Sequence, residues 1–231
     1  MSVRLSVNLD HVAALRNVRG GAQPDPFTAA LVALGAGADG VTARLREDRR
    51  HVTDADAERL AGAAELPLTL RIAPTAEMVA IARRLRPAAC CLVPEAGGGL
   101  DAAGQPDALR PAVSALREAG VRVSLLLEPE AAQLQAAAVL GAEAVELHTG
   151  LYAEGRPGEL DRLREGAALL GRLGLGCHAG GGLTYANVGP VAALPEVAEL
   201  TIGHFLIGQA VLDGLSGAVA RMKALIEAAR R

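Results

Sequence analysis

The sequence predicts an α/β fold of the (β/α)8 or TIM-barrel class, eight parallel strands closed into a barrel with helices outside. Three observations predict it. Short β-type runs alternate with stretches of helical apolar spacing along all 231 residues, with no linker. Glycine closes several helices just before the next strand, as in "ALREAGVRV", "AAVLGAEAV" and "LGRLGLGCH". The unit recurs eight times, which at 231 residues fits the compact end of the barrel class with right-handed crossovers. A doubly wound open sheet is the competing architecture. It calls for a nucleotide-type glycine turn after the first strand, and "NLDHVAALRN" has none. The expected organisation is one barrel domain over residues 1–231.

Taken in order, "LSVNL" (5–9) is the first strand, and "GVTARL" (40–45) is the second, after the glycine punctuation of "GAGADGV". "LPLTLRI" (66–72) is the third, followed by the helical spacing of "TAEMVAIARRL". "AACCLVP" (88–94) and "VRVSLLL" (121–127) are the fourth and fifth, and "PEAAQLQAAAVL" is the helix that leaves the fifth. "AVELH" (144–148), "LGCHA" (175–179) and "VAELTIG" (197–203) complete the set.

Composition bounds the function. Hydrophobic residues make up 51% and charged ones 21%, enough for a sizeable core and too apolar for disorder. Aromatics are 2%, so the core is expected to be built from Ala, Leu, Val and Ile. A formal net charge of −3 argues against a general nucleic-acid or membrane-surface role. There is no charged-then-apolar leader and no run of about 18 apolar residues, so a soluble cytoplasmic protein is expected. Cys90, Cys91 and Cys177 match neither a disulfide framework nor a zinc spacing and are expected as buried thiols.

In a barrel of this class the chemistry sits where strands run out into the following loops. Those positions carry Asn8, Asp10 and His11 after strand 1, Arg44 and Arg46 after strand 2, and Arg71 on strand 3. Glu95, Glu128, Glu146 and His148 end strands 4 to 6; His178 and three glycines belong to strand 7, Gly203 and His204 to strand 8. His51 lies in the long loop after strand 2. Strand ends are polar wherever they meet water, but strand starts here carry fewer such groups, which favours a site at this face. "HAGGGLTYAN" and "IGHFLIGQA" leave strands 7 and 8 at the usual phosphate position of the fold, with bare backbone N–H groups and a helix start. A tight turn alone is the competing reading of the glycines. In "LREDRRH", Arg46 and His51 are assigned to ligand, while Arg49 and Arg50 read as a solvated run in which Glu47 can pair with Arg50.

These stretches together resemble pyridoxine 5′-phosphate synthases. The matching motifs are "VNLDHVAALRNVRG", "GADGVTARLREDRRHVTD", "CCLVPE", "GGLDAAGQ", "VSLLLE", "ELHTGLYA", "AGGGLTYANV" and "ELTIGHFLIGQAV", spread from end to end of the chain. The resemblance implies a (β/α)8 barrel, typically an octamer. It also implies condensation of 3-amino-2-oxopropyl phosphate with 1-deoxy-D-xylulose 5-phosphate, releasing inorganic phosphate and water, with no metal or redox cofactor. By matching position, Asn8, Arg19, Gly182, Gly203 and His204 would hold the aminoketone phosphate. Asp10, His11, Arg46 and His51 would hold the deoxyxylulose phosphate, and Glu146 would stabilise a transition state.

The same resemblance exposes three departures. The family has His where this chain has Arg44, Glu where it has Arg71, and His where it has Gly181. The segment after "CCLVPE" is also shorter and lacks a Thr of the substrate shell. Arginine stays protonated and cannot act as a base, and glycine offers no side chain. Losing such groups, each worth about 10²–10⁴ in rate, predicts poor turnover of the family reaction unless something substitutes. His178, two residues before the loop, is the candidate substitute if its side chain points into the mouth; a hydrogen-bonded structural His is the alternative. Arg44 and Arg71 need anions beside them. Pairing with Glu95, Glu128 or Glu146 would make the exchange structural. Otherwise the two arginines clamp an extra negative ligand group such as a carboxylate, the reading favoured here, and a binding protein for a phosphorylated metabolite remains the non-catalytic alternative.

Overall fold

Eight parallel strands close into a barrel in the computed structural model, which describes residues 2–230. They are β1 (Arg4–Asn8), β2 (Gly40–Arg44), β3 (Leu68–Ile72), β4 (Ala89–Leu92), β5 (Arg122–Leu127), β6 (Ala144–His148), β7 (Gly176–Gly180) and β8 (Val197–Ile202). Each pairs in parallel with its neighbours in chain order, and β8 returns to β1. The open-sheet alternative is thereby excluded. All eight strands fall where the apolar runs place them. β3 starts at Leu68, two residues later than expected, because Pro67 has no N–H for the ladder and supplies only its carbonyl, to Val41.

The helices are α1 (Asp10–Arg19) and α2 (Pro26–Gly35) after β1, α3 (Asp54–Gly62) after β2, and α4 (Ala76–Leu85) after β3. α5 (Pro106–Glu118) follows β4 and α6 (Ala131–Leu140) follows β5. α7 (Gly150–Ala153) and α8 (Glu159–Leu173) follow β6, α9 (Val188–Ala192) follows β7, and α10 (His204–Asp213) and α11 (Leu215–Ala228) follow β8. Local chemistry sets the ends. The Asp25 carboxylate accepts from the backbone N–H groups of Phe27 and Thr28 ahead of Pro26, and Thr53 and Asp56 form a reciprocal capping box on α3. α6 stops at Gly141, whose φ of 81° is the left-handed conformation an L side chain resists.

The aliphatic core lies between the sheet and the helices. Leu5, Val41, Leu70, Leu92, Leu125 and Leu147 alternate along the strands and are fully buried with helix residues such as Met78, Leu116 and Met222. Cys90, Cys91 and Cys177 are buried and unpaired; burial raises all three thiols, Cys91 and Cys177 to about 12, so they pack as small hydrophobes as expected. The barrel interior is different. Its inner wall carries Ser6, Thr42, Thr69, Ser124, Glu146 and His178, with Ser6 and Thr42 hydroxyls 2.7 Å apart. The expectation of an Ala, Leu, Val and Ile core therefore holds for the outer layer only. At the strand starts, Arg4, Arg122, Glu143 and Glu199 open a cavity of about 200 Å³ into this lumen, so polar groups are not confined to the strand ends.

The first two crossovers are locked together by a buried ion pair. Arg16 of α1 donates to both carboxylate oxygens of Asp56 on α3, at 2.5 and 2.7 Å. Burial pushes Asp56 up, but Arg16 and Thr53 outweigh it and hold the carboxyl below its ordinary range. Next to Arg16, the Asn17 amide donates to the carbonyls of Arg50 and His51, at 3.0 and 2.7 Å, fixing the loop that carries His51. Arg16→Ala leaves Asp56 buried without its counter-charge and should cost about 3–5 kcal/mol. Urea unfolding checks this: the midpoint falls with the slope unchanged, and a loss under about 1 kcal/mol would show the pair to be structurally idle.

Candidate active site

The exits of β1, β2 and β8 are tied to one another by two short side chains. Asp10 donates its backbone N–H to Asn8 Oδ1 and accepts from Asn8 Nδ2, both at 3.0 Å, while its other oxygen accepts the Arg44 N–H at 2.7 Å. Asn8 is packed against Gly203, where a Cβ would stand only 2.9 Å from Asn8 Oδ1. His11 begins α1 beside this knot. Its ring meets His204 edge-on at 4.7 Å and stacks with His51 at 6.4 Å between centroids. Burial lowers the His11 pKa, His204 lowers it further, Asp10 opposes, and His51 adds to the lowering. The Nδ1 atoms of His11 and His51 are buried without a hydrogen-bond partner among the described residues. Two imidazoles with unmet hydrogen-bonding capacity, beside the ring of His204, make a place receptive to an anion.

The exits of β7 and β8 lie side by side, Gly180 pairing with Thr201. Beyond them the chain turns through Gly181 and Gly182, and the Gly181 carbonyl accepts from Thr149 Oγ1 at 2.6 Å. Gly182 has a φ of 71°, and a Cβ there would fall 2.5 Å from that of Ala153, so only a bare backbone fits. Asn187 braces this loop by donating to the Gly182 carbonyl and accepting the Thr184 N–H. On the β8 side, Gly203 leads directly into the ten-residue helix α10, whose first turn leaves backbone N–H groups unspent. Glycine loop and helix N-terminus thus meet at the fold's anion position.

The other half of the mouth is charged. Arg44 and Arg71 are paired in register on β2 and β3 and line a cavity of about 200 Å³ with Gly97, Gly98, His148 and Gly181. Arg44 Nη2 donates to the Pro94 carbonyl at 2.6 Å and the Glu95 carbonyl at 3.3 Å, and stands 3.5 Å from Glu95 Oε2. Glu95 is held more closely by Arg46, at 2.6 Å, which also pairs with Asp48. Arg71 Nη1 lies 3.4 Å from Glu146 Oε1, and Glu146 Oε2 accepts from the Cys91 thiol at 3.7 Å. Burial and Arg46 pull the Arg44 pKa below the arginine value. Burial also opposes charge on Arg71, but Glu146, Cys91 and Asp10 outweigh it and raise its pKa. Both guanidinium groups stay protonated, so neither serves as a base.

Most of the residues singled out in the sequence are gathered here, with three exceptions: Glu146, which lines the strand-start cavity and touches the mouth only through Arg71, His178 and Arg19. His178 lines the cavity at the strand starts with Arg4, Arg122 and Glu199, not the one at the mouth. Its place one layer down β7, paired with Glu146, is the physical reason, and burial lowers its pKa. The expectation that His178 reaches the mouth is corrected accordingly. Arg19 is exposed at the far end of α1, about 13 Å along the helix from Asp10. In the charged run, Arg50 pairs with Asp48 rather than Glu47, and Arg49 with Asp54 and Glu77, all outside the mouth. Of the three proposed carboxylate partners, Glu128 goes elsewhere: it meets His148 Nδ1 at 2.8 Å. The His148 ring edge occupies the space over Gly181, 3.1–3.3 Å from where a Cβ would be. This dyad escaped the sequence reading. Its signal was the adjacency of the β5 and β6 ends in barrel order.

Comparison with known proteins adds the following. A family model described as pyridoxal phosphate biosynthesis protein PdxJ matches residues 5–228. The pyridoxine 5′-phosphate synthase of Gluconobacter oxydans is 58% identical over 97% of this chain and 99% of its own length. That of Rhodospirillum rubrum is 55% identical, over 99% and 96%. Among solved structures, thiamine phosphate pyrophosphorylase from Pyrococcus furiosus superposes with a TM-score of 0.68 at 14% identity, covering 99% of this chain and 98% of that one. The 3-keto-L-gulonate-6-phosphate decarboxylase of Vibrio cholerae gives 0.69 at 13%, covering all of both chains. These two likenesses concern the fold alone.

His11 provides a direct readout of the mouth. Its folded pKa lies below the ordinary 6.5, so the unfolded chain binds the proton more readily and stability falls as pH drops below 6.5 toward the folded value. NMR titration should give a His11 midpoint under 6.5 in the free protein, moving upward when inorganic phosphate is added. A midpoint at or above 6.5 without ligand would refute the burial-driven shift.

Proposed function

The chain belongs to the pyridoxine 5′-phosphate synthase family, and from that footing we propose that its mouth binds two phosphorylated substrates while proton transfer runs through rebuilt groups. It is an enzyme of vitamin B6 biosynthesis, of the ring-forming, condensing transferase type. Its substrates are then 3-amino-2-oxopropyl phosphate and 1-deoxy-D-xylulose 5-phosphate. The observation that carries the substrate reading is the meeting of the Gly181–Gly182 loop with the start of α10 at Gly203. The aminoketone phosphate is placed there, with Asn8, Gly182, Gly203 and His204 around it; Arg19, exposed at the far end of α1, stays outside this shell. Asp10, His11, Arg46 and His51 take the second phosphate, and Glu146 stands beneath the mouth against Arg71.

Ring closure needs repeated proton transfers, and Arg44, Arg71 and Gly181 supply none. The group that geometry offers at the mouth is His148, whose Nδ1 is held by Glu128 at 2.8 Å. A carboxylate on one ring nitrogen orients the imidazole, leaving Nε2 to exchange a proton with ligand. The ring is admitted by two glycines, since its Nε2 atom lies 3.3 Å from a Cβ position at Gly181 and 2.9 Å from one at Gly150, and it borders the mouth cavity.

Assembly into a homo-oligomer and a cytoplasmic location belong to the same reading. Val18 on α1 and Val211 and Leu212 on α10 are 90%, 74% and 78% exposed on packed neighbouring helices, an apolar surface suited to another copy. No helix among the described residues is long and apolar enough to cross a membrane.

Kinetics with the two family substrates test the proposal. Turnover should stay below about 1 s⁻¹, the low end of ordinary enzymes. His148→Gln and Glu128→Gln should each lower kcat about 10²-fold or more, with KM little changed. Ordinary turnover would refute the rebuilt-site reading, and variants with unchanged kcat would remove the dyad from it. Gly182→Ala should separately weaken inorganic phosphate binding at least tenfold by calorimetry; equal affinity would place the phosphate elsewhere.

A further inference from the structure

We infer that Arg44 and Arg71 form a carboxylate-binding subsite at the mouth, so that this chain accepts phosphorylated ligands that carry a carboxylate at the other end. The inference rests on the phosphate reading above and adds a second anionic anchor to it. The two residues are direct register partners on adjacent parallel strands, which places their side chains on the same face about 4.8 Å apart at the backbone. Both line the cavity of about 200 Å³ whose other walls are largely bare, with Gly97, Gly98, Gly180 and Gly181 among its residues.

Internal neutralisation is incomplete. Arg44 spends its nearest side-chain contact, 2.6 Å, on the uncharged Pro94 carbonyl, and the carboxylate its guanidinium pairs with among the described residues, Glu95, is 3.5 Å away and bound more closely by Arg46. Arg71 has Glu146 at 3.4 Å, too long and misdirected to be a hydrogen bond, so Glu146 Oε1 also goes without one. Glu128, the third acid within reach of the mouth, is committed to His148. The Nε atoms of both arginines are buried and make no hydrogen bond among the described residues. Buried donors left in this state are stabilised by any acceptor that enters. A planar carboxylate is the acceptor whose two oxygens match guanidinium forks, and a neutral carbonyl or hydroxyl would leave the excess charge in place.

A matched pair of probes isolates the carboxylate. 3-Phosphoglycerate and glycerol 3-phosphate share a three-carbon phosphate ester and differ in that only the first is an acid. Calorimetry on the full chain should show 3-phosphoglycerate binding at least tenfold more tightly. Arg71→Gln and Arg44→Gln should each erase that preference and leave glycerol 3-phosphate affinity unchanged. Equal affinities on the wild-type protein, or a preference that survives both substitutions, would overturn the subsite while leaving the phosphate reading intact. Failure of both probes and of inorganic phosphate to bind would overturn the two readings together. Should a variant not fold, the wild-type pair alone decides.

Discussion

Glu146 stands inside the barrel between Arg71 on the mouth side and His178 on the strand-start side, and it is 4% exposed. A carboxylate taken that far from water needs cations and donors around it, because a buried unmatched charge costs several kcal/mol. The inner wall is arranged to supply them. Arg71 brings charge, the Cys91 thiol donates at 3.7 Å, and Gly180 yields space, since a Cβ there would come 2.5 Å from Glu146 Oε1. Arg71 depends on the same contact in reverse, for burial alone would disfavour its charge. The polar lumen therefore couples the wall of the barrel to the chemistry at its mouth.

That coupling explains which parts of the molecule could be read in advance. The architecture was legible because outward-facing strand residues such as Leu5, Val41 and Leu125 must be apolar to meet the helices, and the runs they make stand out. The glycine loop after β7 was legible because bare backbone is required at Gly182, which excludes other residues. The lumen was not, since Thr69, Ser124 and Thr201 sit singly inside apolar runs and say nothing alone about sharing one cavity. Nor could His178 be placed. Two residues along a strand is one layer of the barrel wall, so the same residue type serves the mouth at His148 and the opposite end at His178. Pair identities failed similarly: Glu128 was one of three acids offered to the arginines, and only packing assigns it to His148.

The two halves of the mouth obey different constraints. Around Asn8, Asp10, His11 and Gly203 the fit is close and reciprocal; the Asn8–Asp10 exchange and the Asp10 contact to the Arg44 N–H leave little freedom to substitute any member. Around Arg44, Arg71 and Gly181 the fit is loose, with buried donors unspent and a cavity walled by glycine. Family membership at 55–58% identity is consistent with this division. Asn8, Asp10 and Gly203 are built into the joints between strands, whereas Arg44, Arg71 and Gly181 border open space and can be exchanged with less damage to the fold.

Such an exchange still has to keep the barrel neutral enough to fold. Placing two arginines side by side at the mouth adds positive charge where like charges repel, and Arg46 already depresses the Arg44 pKa. Glu95 and Glu146 offset part of this at 3.5 and 3.4 Å, contacts that hold the protein together without saturating either guanidinium. A site balanced in that way binds anions more readily than it transfers protons. Whatever proton transfer the mouth performs then falls to an imidazole, and the one fixed there by a carboxylate is His148. Three different arrangements therefore surround the barrel axis: bare backbone at β7 and β8, adjacent arginines at β2 and β3, and a carboxylate–imidazole pair at β5 and β6.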